Sequence, residues 1–331
     1  MTLKVVGWTD FRRVGLTARL GLCVAAACAI LLLPDARAAQ STSTPAAQPA
    51  LTQKTFNTPE EAVAALVSAA EPFDVTALKE ILGPDGVDLV VSDDPVLDKN
   101  QSAEFAAQAR VKTEVVRDPK QPGVATMILG AEDWPSPIPI VEEGGKWRFD
   151  SKAGREEILY RRIGENELNA IQMCRGYVEA QYEYAAQKHD GGRVNQYAQR
   201  VISTPGRQDG LAWRTPDGVW QGPVGERIAQ VIADGYTKRD EPFYGYYFKV
   251  LKGQGPAAPM GEMDFVLNGV MIGGFAFVAA PADYAVTGVK TFIVSSTGIV
   301  YEKDLGPETL QEFRAMDRYN PDPTWKPVSE P

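Results

Sequence analysis

Twice along this chain, helical spacing of apolar residues gives way to short strands joined by turns. That double change of period constrains the fold more than any other feature. The first begins at Thr58-Pro59-Glu60-Glu61, where Thr58 can cap a helix, Pro59 suits its first position and Glu61 closes a capping box. Ala62, Val63, Leu66, Val67 and Ala70 follow at helical spacing. Asp74 opens a second helix bearing Leu78, Ile81 and Leu82, which Gly83 stops, and a third is expected over 102–111. Strands are then expected over 112–117, 124–129, 138–141 and 146–149, with Trp134-Pro135-Ser136-Pro137 as a bulge or edge.

The second change begins with the best helix of the chain, expected over 164–188. Its stripe is Leu168, Ile171, Cys174, Val178, Tyr182 and Ala185. Beyond it lie a Gly- and Pro-rich section (190–223) and a short helix (224–233). Strands follow over 244–251, 264–270, 274–280, 289–295 and 299–301. Helices followed by an antiparallel meander, twice over, predict an α+β protein of two domains, each with helices packed on an antiparallel sheet.

The remaining segments punctuate this plan. Lys4, Arg12, Arg13 and Arg19 precede an apolar run from Gly21 to Leu33, and Ala36-Arg37-Ala38 supplies small residues for cleavage. Residues 1–38 therefore read as a signal peptide, with the mature chain starting near Ala39. A retained anchor is the alternative. Ala25-Ala26-Ala27-Cys28 is a poor lipoprotein box, and Val14-Gly15-Leu16 a poor twin-arginine continuation. Residues 39–55 are a disordered tether by composition, 56–150 the first domain and 151–163 a charged connector. Residues 164–320 form the second domain, and 321–331 a C-terminal tail.

Charge and residue types then limit the chemistry. The expected cleavage removes five basic and two acidic residues, leaving 29 basic against 41 acidic. So acidic a chain repels phosphate backbones, so nucleic acid is not expected as a partner. No stable membrane insertion is expected after cleavage. Cys174 is the single cysteine left, so no intrachain disulfide can form. His189 is the sole histidine, in Lys188-His189-Asp190-Gly191-Gly192, and reads as a helix C-terminal residue. No metal site and no cofactor are expected. Calcium stays open as an alternative at Asp93/Asp94/Asp98, at Asp317/Asn320/Asp322 and over 189–196, though none has EF-hand spacing. Arg155, Glu156, Arg161, Arg162, Asn166 and Glu167, at the expected domain junction, are the candidate binding residues. An ion-pair network fastening the domains is the competing reading of the same set.

Three resemblances add to this. Gly145-Lys146-Trp147-Arg148-Phe149-Asp150 is similar to the last strands of NTF2-like domains, over about 57–150. The helix carrying Asn166-Glu167-Leu168-Asn169-Ala170-Ile171 and Tyr182-Glu183-Tyr184 resembles the helix that opens the soluble part of type IV pilin-like (pseudopilin) proteins. Phe275 to Pro281, and Thr287 to Val294 with Thr297 to Tyr301, resemble their closing strands, over about 164–304. A true pilin has an apolar half-helix before Asn166, where this chain has Arg155 to Arg162. From Phe56 onward the chain also resembles a bacterial family of exported proteins with a domain of unknown function. Asp133-Trp134-Pro135-Ser136-Pro137, Met271-Ile272-Gly273-Gly274 and Asn320-Pro321-Asp322-Pro323 carry that likeness. These features lead to the expectation of a periplasmic or secreted, non-enzymatic protein-interaction or assembly module that binds an envelope protein. The alternative is a histidine-independent hydrolase using paired carboxylates, possibly on glycans.

Overall fold

The computed structural model describes residues 52–92, 94–224 and 242–329. The signal peptide, most of the tether, Asp93, and all but the first residue of the helix expected over 224–233 lie outside them. The chain has the α+β character expected, and it divides into two compact units after Glu157.

In the first unit, α1 (Pro59–Ala70) starts as its sequence demands, with Thr58 Oγ1 accepting from the Glu61 N–H at 3.1 Å. The capping box is displaced by one residue, because Glu61 Oε2 accepts from the N–H of Asn57 (3.0 Å) and not of Thr58. Asp74 caps α2 (Val75–Leu82) through the Thr76 and Ala77 N–H groups. Gly83 ends it at φ 74°, a left-handed conformation cheap only for glycine. α3 (Pro95–Val111) starts seven residues before the expected point. Asp94 and Pro95 form a second cap-and-proline signal, with Asp94 Oδ1 accepting from Val96 and Leu97. Order also begins earlier than expected: Gln53 Nε2 donates to the carbonyls of Ile81 (3.1 Å) and Phe149 (2.7 Å), so residues 52–55 are not tether.

Strands β1 (Thr113–Arg117), β2 (Val124–Leu129), β3 (Trp134–Pro135), β4 (Ile140–Glu143) and β5 (Lys146–Phe149) form an antiparallel sheet. Its order is β1-β2-β4-β5, with β3 on β2. Ala125, Met127, Leu129, Ile140, Trp147 and Phe149 point to one face, where Ala62, Leu66, Leu78, Ile81 and Phe105 of the three helices meet them. The alternation along β2, half-buried then buried, is the signature of a sheet with one face in the core.

α4 (Ser151–Ala185) is a single helix, so the expected connector over 151–163 is its first half. Asp150 Oδ1 caps it through the Ala153 N–H (3.1 Å). Glu157 and Arg161, four apart in the favourable order, support helix where charge density had suggested a linker. The boundary between the units falls inside this helix.

The second unit is built on the rest of α4 and an antiparallel sheet of order β18-β16-β15-β14-β9. These strands are β9 (Tyr246–Leu251), β14 (Ala276–Pro281), β15 (Lys290–Ser295), β16 (Val300–Asp304) and β18 (Lys326–Pro327). Cys174, Tyr177, Val178, Gln181 and Tyr184 make the buried face of α4. The expected stripe was rotated: Leu168 and Tyr182 are exposed, because polar Gln181 sits on the true inner face and hides it from a hydrophobic count. Tyr177 stacks on Phe277 at 4.1 Å between ring centres. The opposite sheet face is covered as well. α5 (Thr309–Ala315), unforeseen because it is so short, lays Phe313 against Tyr247 and takes Lys249 Nζ on its last carbonyls (2.5 Å to Phe313 O). Every residue of β14 is buried.

The Gly- and Pro-rich section forms a small sheet of β6 (Arg200–Ile202), β7 (Gly210–Arg214) and β8 (Trp220–Gln221). Two-residue strands fill the stretch expected as one strand over 264–270: β11 (Met263–Asp264), β12 (Val266–Leu267) and β13 (Val270–Met271). β10 (Gly253–Gln254) lies between β11 and β17 (Arg318–Tyr319). The expected tail is no tail, since β18 pairs with β16 and Trp325 is buried.

Candidate functional site

The six candidate residues all lie on α4, and the structure does not bring them to one point. Arg155 Nη2 donates to the Asp85 carbonyl (2.5 Å) and pairs with Asp88, inside the first unit. Arg162, Asn166 and Glu167 come together inside the second unit, against the turn before β15. Arg162 donates to Val286 O (3.2 Å) and Asn166 Nδ2 to Thr287 O (2.9 Å), while Glu167 Oε1 accepts from the Val289 (2.8 Å) and Lys290 (3.0 Å) N–H groups. These are backbone groups that the turn leaves without a ladder partner, so the side chains complete the turn's hydrogen bonding. Gly288 permits the close fit, because a Cβ there would meet the ring of Tyr246 at 2.7 Å or less. Glu156 is exposed and Arg161 half-buried.

His189 follows the C-terminus of α4, but as a core residue and not a surface one. It is 5% exposed, stacked on Tyr184 at 3.8 Å, with Trp213 at its edge. Its Nε2 lies 2.9 Å from Tyr184 O and its Nδ1 3.3 Å from Gln208 Oε1. Both ring nitrogens are thus occupied by neutral amide groups, with no Ser or Cys nucleophile in contact with them. Cys174 is fully buried, and burial pushes its thiol up to about 12, the reverse of an activated nucleophile. The indole Nε1 of Trp213 and the hydroxyl of Thr291 are buried without a hydrogen-bond partner.

Two open hollows stand out. One, of about 290 Å³, belongs to the first unit and is lined by Gln53, Asp85, Arg148, Asp150, Ser151 and Lys152. The other, of about 260 Å³, lies beside α5 with Asp283, Tyr284 and Thr309. Asp150 is the cap of α4, and Ser151 Oγ donates to Leu82 O (2.7 Å), so much of the first hollow's polarity is spent on the fold. Among the described residues no three His, Cys, Asp or Glu side chains are grouped to hold a metal ion. In the acidic loops, Asp94 caps α3, Asp98 accepts from the Ser92 N–H and hydroxyl, and Asp322 from the Thr324 N–H. No helix among the described residues is long and apolar enough to cross a membrane.

A surface that sequence reasoning missed is the outer face of the first unit's sheet. Val116, Val124, Thr126, Ile128 and Val141 lie on it, exposed or half-buried, opposite the face that meets α1 to α3. The register places Val124 beside Val141, and Val141 beside Arg148. Asp118 lies beside Val124 through the bond from its N–H to Val124 O (2.9 Å). One row across the sheet therefore reads Asp118, Val124, Val141, Arg148: an acid, two valines, a base. The period-two alternation of 124–129 was the available signal for a half-covered sheet.

No curated protein and no solved structure matches this chain. A family model does match, over residues 53–328, which takes in both units and most of the chain. The chain thus belongs to the DUF2950 family, described as proteins of unknown function.

Proposed function

We propose that this protein is an exported, non-enzymatic interaction or assembly module of the cell envelope, working in the periplasm or outside the cell. The observation that carries this reading is the outer sheet face of the first unit, where valines lie half-buried or exposed between charged ends. Uncovered apolar surface rimmed by polar residues is how interaction sites present themselves. The candidate set on α4 supports the same view, since Arg155, Arg162, Asn166 and Glu167 serve as fasteners within their own units. We read the first unit as NTF2-like, for its helices packed on one side of an antiparallel meander. The second is read as pilin-like, for its long helix across the β9-β14-β15-β16 sheet. The polymerising apolar half-helix of a pilin is replaced here by the charged first half of α4, which argues for an accessory role and not for filament membership.

The competing hydrolase would place its two carboxylates in the first hollow, on Asp85 and Asp150. Asp150 already holds the start of α4, which leaves that pair short of a free base. The discriminating experiment incubates the purified protein with peptidoglycan and neutral polysaccharides. No turnover is expected; hydrolysis abolished by Asp85→Asn or Asp150→Asn would overturn the proposal. Export is tested separately by intact mass of the envelope fraction, which should correspond to a chain starting at Ala39, whereas a full-length or lipid-modified mass would contradict it.

A further inference from the structure

Building on the interaction reading above, we infer that the occupant of the first unit's outer sheet face is a second copy of the same chain, docked face to face about a two-fold axis parallel to the strands. The order of charge across the sheet selects this occupant. β1 and β5 are the first and last strands of its order, with Phe56 bridged to Trp147 outside β5, and the row Asp118–Val124–Val141–Arg148 runs from an acid at one side to a base at the other. A two-fold axis between β2 and β4, parallel to them, exchanges the edges. It lays Asp118 over the Arg148 of the partner subunit, Val124 over the partner's Val141, and each pair occurs twice. This is the self-complementarity a closed dimer requires. An axis across the strands instead lays acid over acid and base over base, which like-charge repulsion opposes. Face-to-face sheets interdigitate at about 10 Å with strands roughly aligned, the geometry this row needs.

Each end of the row has neighbours that moderate its charge without cancelling its sign. Arg148 Nε bonds Glu143 (2.9 Å) with Lys146 beside them, and at the other edge Lys112 bonds Glu114 (3.2 Å) and Asp133 (2.5 Å). The basic edge keeps two cations to one anion on its face, and the acidic edge three anions, with Asp118, to one cation. Val116, 44% exposed, and half-buried Ile128 extend the apolar strip between them.

The test is sedimentation equilibrium of the mature protein from micromolar to millimolar concentration. Wild type is expected to show a monomer–dimer equilibrium. Asp118→Arg and Arg148→Asp should each weaken it about tenfold, since every single change breaks two pairs and creates two repulsions. The double variant D118R/R148D should recover most of the wild-type association, and circular dichroism confirms that each variant is folded. A wild type that stays monomeric throughout, or a double variant as weak as the two single effects combined, overturns the dimer. A photocrosslinking residue at Val124 of the protein in its own envelope then separates this inference from the reading beneath it. A product of twice the mass, with peptides from this chain alone, supports the dimer. A product containing another protein overturns the dimer and leaves the interaction reading standing. Absence of any product overturns both.

Discussion

The two five-stranded sheets of this protein are treated oppositely. In the second unit β14 and β15 are buried on both faces, α4 on one side and α5 with Tyr319 on the other, and β14 runs apolar from end to end while β15 carries Phe292, Ile293 and Val294 in a row. In the first unit β2 alternates, because only one face meets helices. Continuous apolar strands belong to enclosed sheets and alternating ones to half-open sheets. The difference teaches where to look for function: the enclosed sheet is scaffold, and the half-open sheet has surface to spare.

The largest contrast should appear on truncating matched side chains. Phe277→Ala removes the ring that Tyr177 and Phe248 stack upon and should cost about 3–5 kcal/mol, whereas Val116→Ala on the open face should stay within about 0.5 kcal/mol. Urea denaturation measures both, and equal costs would erase the contrast. Next comes Gln181, fully buried in α4, whose amide donates to Ala198 O and accepts from Ala198 N, both at 2.8 Å. Gln181→Leu keeps the bulk but strands both groups, at about 2–4 kcal/mol, read by the shift in denaturation midpoint.

Alkaline pH should separate the units without any mutation. All twelve tyrosines lie at or beyond Tyr160, and Cys174 lies there too, so the described residues of the first unit include neither group. Burial raises Cys174 and Tyr184 to about 12 from ordinary values of 9.0 and 10.0, and raises Tyr177 and Tyr246 further. Folding therefore favours the protonated forms. Their contribution is intact below about pH 9 and is lost as pH climbs toward about 12. Tyrosine absorbance and near-ultraviolet circular dichroism should show the second unit opening in that window while the first unit's helix signal persists; simultaneous loss would contradict the assignment. A small effect is expected at Arg155, whose partner Asp88 is well exposed: Arg155→Ala should lower stability by about 0–1 kcal/mol in a thermal melt.

Much of this plan was legible in the residues. The caps at Thr58 and Asp74 and the strand 124–129 are local signals, and local signals survive into the fold. What could not be read depends on tertiary context. The first half of α4 hides behind its charges, α5 is too short for a period, and β6 to β8 lie among glycines and prolines that suggest loop. The inner face of α4 does not show in a hydrophobic count because Gln181, a polar residue, is satisfied there by the backbone of Ala198, in the segment before β6. The junction set was chosen by position, and its members are used by backbone groups of the segment before β15, which sequence spacing does not reveal. The row Asp118–Val124–Val141–Arg148 needs the register of three strand pairs and has no linear signature at all.

The most direct measurement compares one charge placed on each sheet, at protein concentrations low enough to hold the chain monomeric. Val124→Lys lies on the outer face of the first unit, and Val278→Lys in the fully buried strand of the second. Thermal unfolding should be nearly unchanged for Val124→Lys, within about 0.5 kcal/mol, while Val278→Lys should abolish cooperative folding of its unit, because a buried unpaired ammonium costs several kcal/mol. If Val124→Lys destabilises the monomer as severely as Val278→Lys, the outer face is already core, and the account of this protein as a module with one open sheet fails.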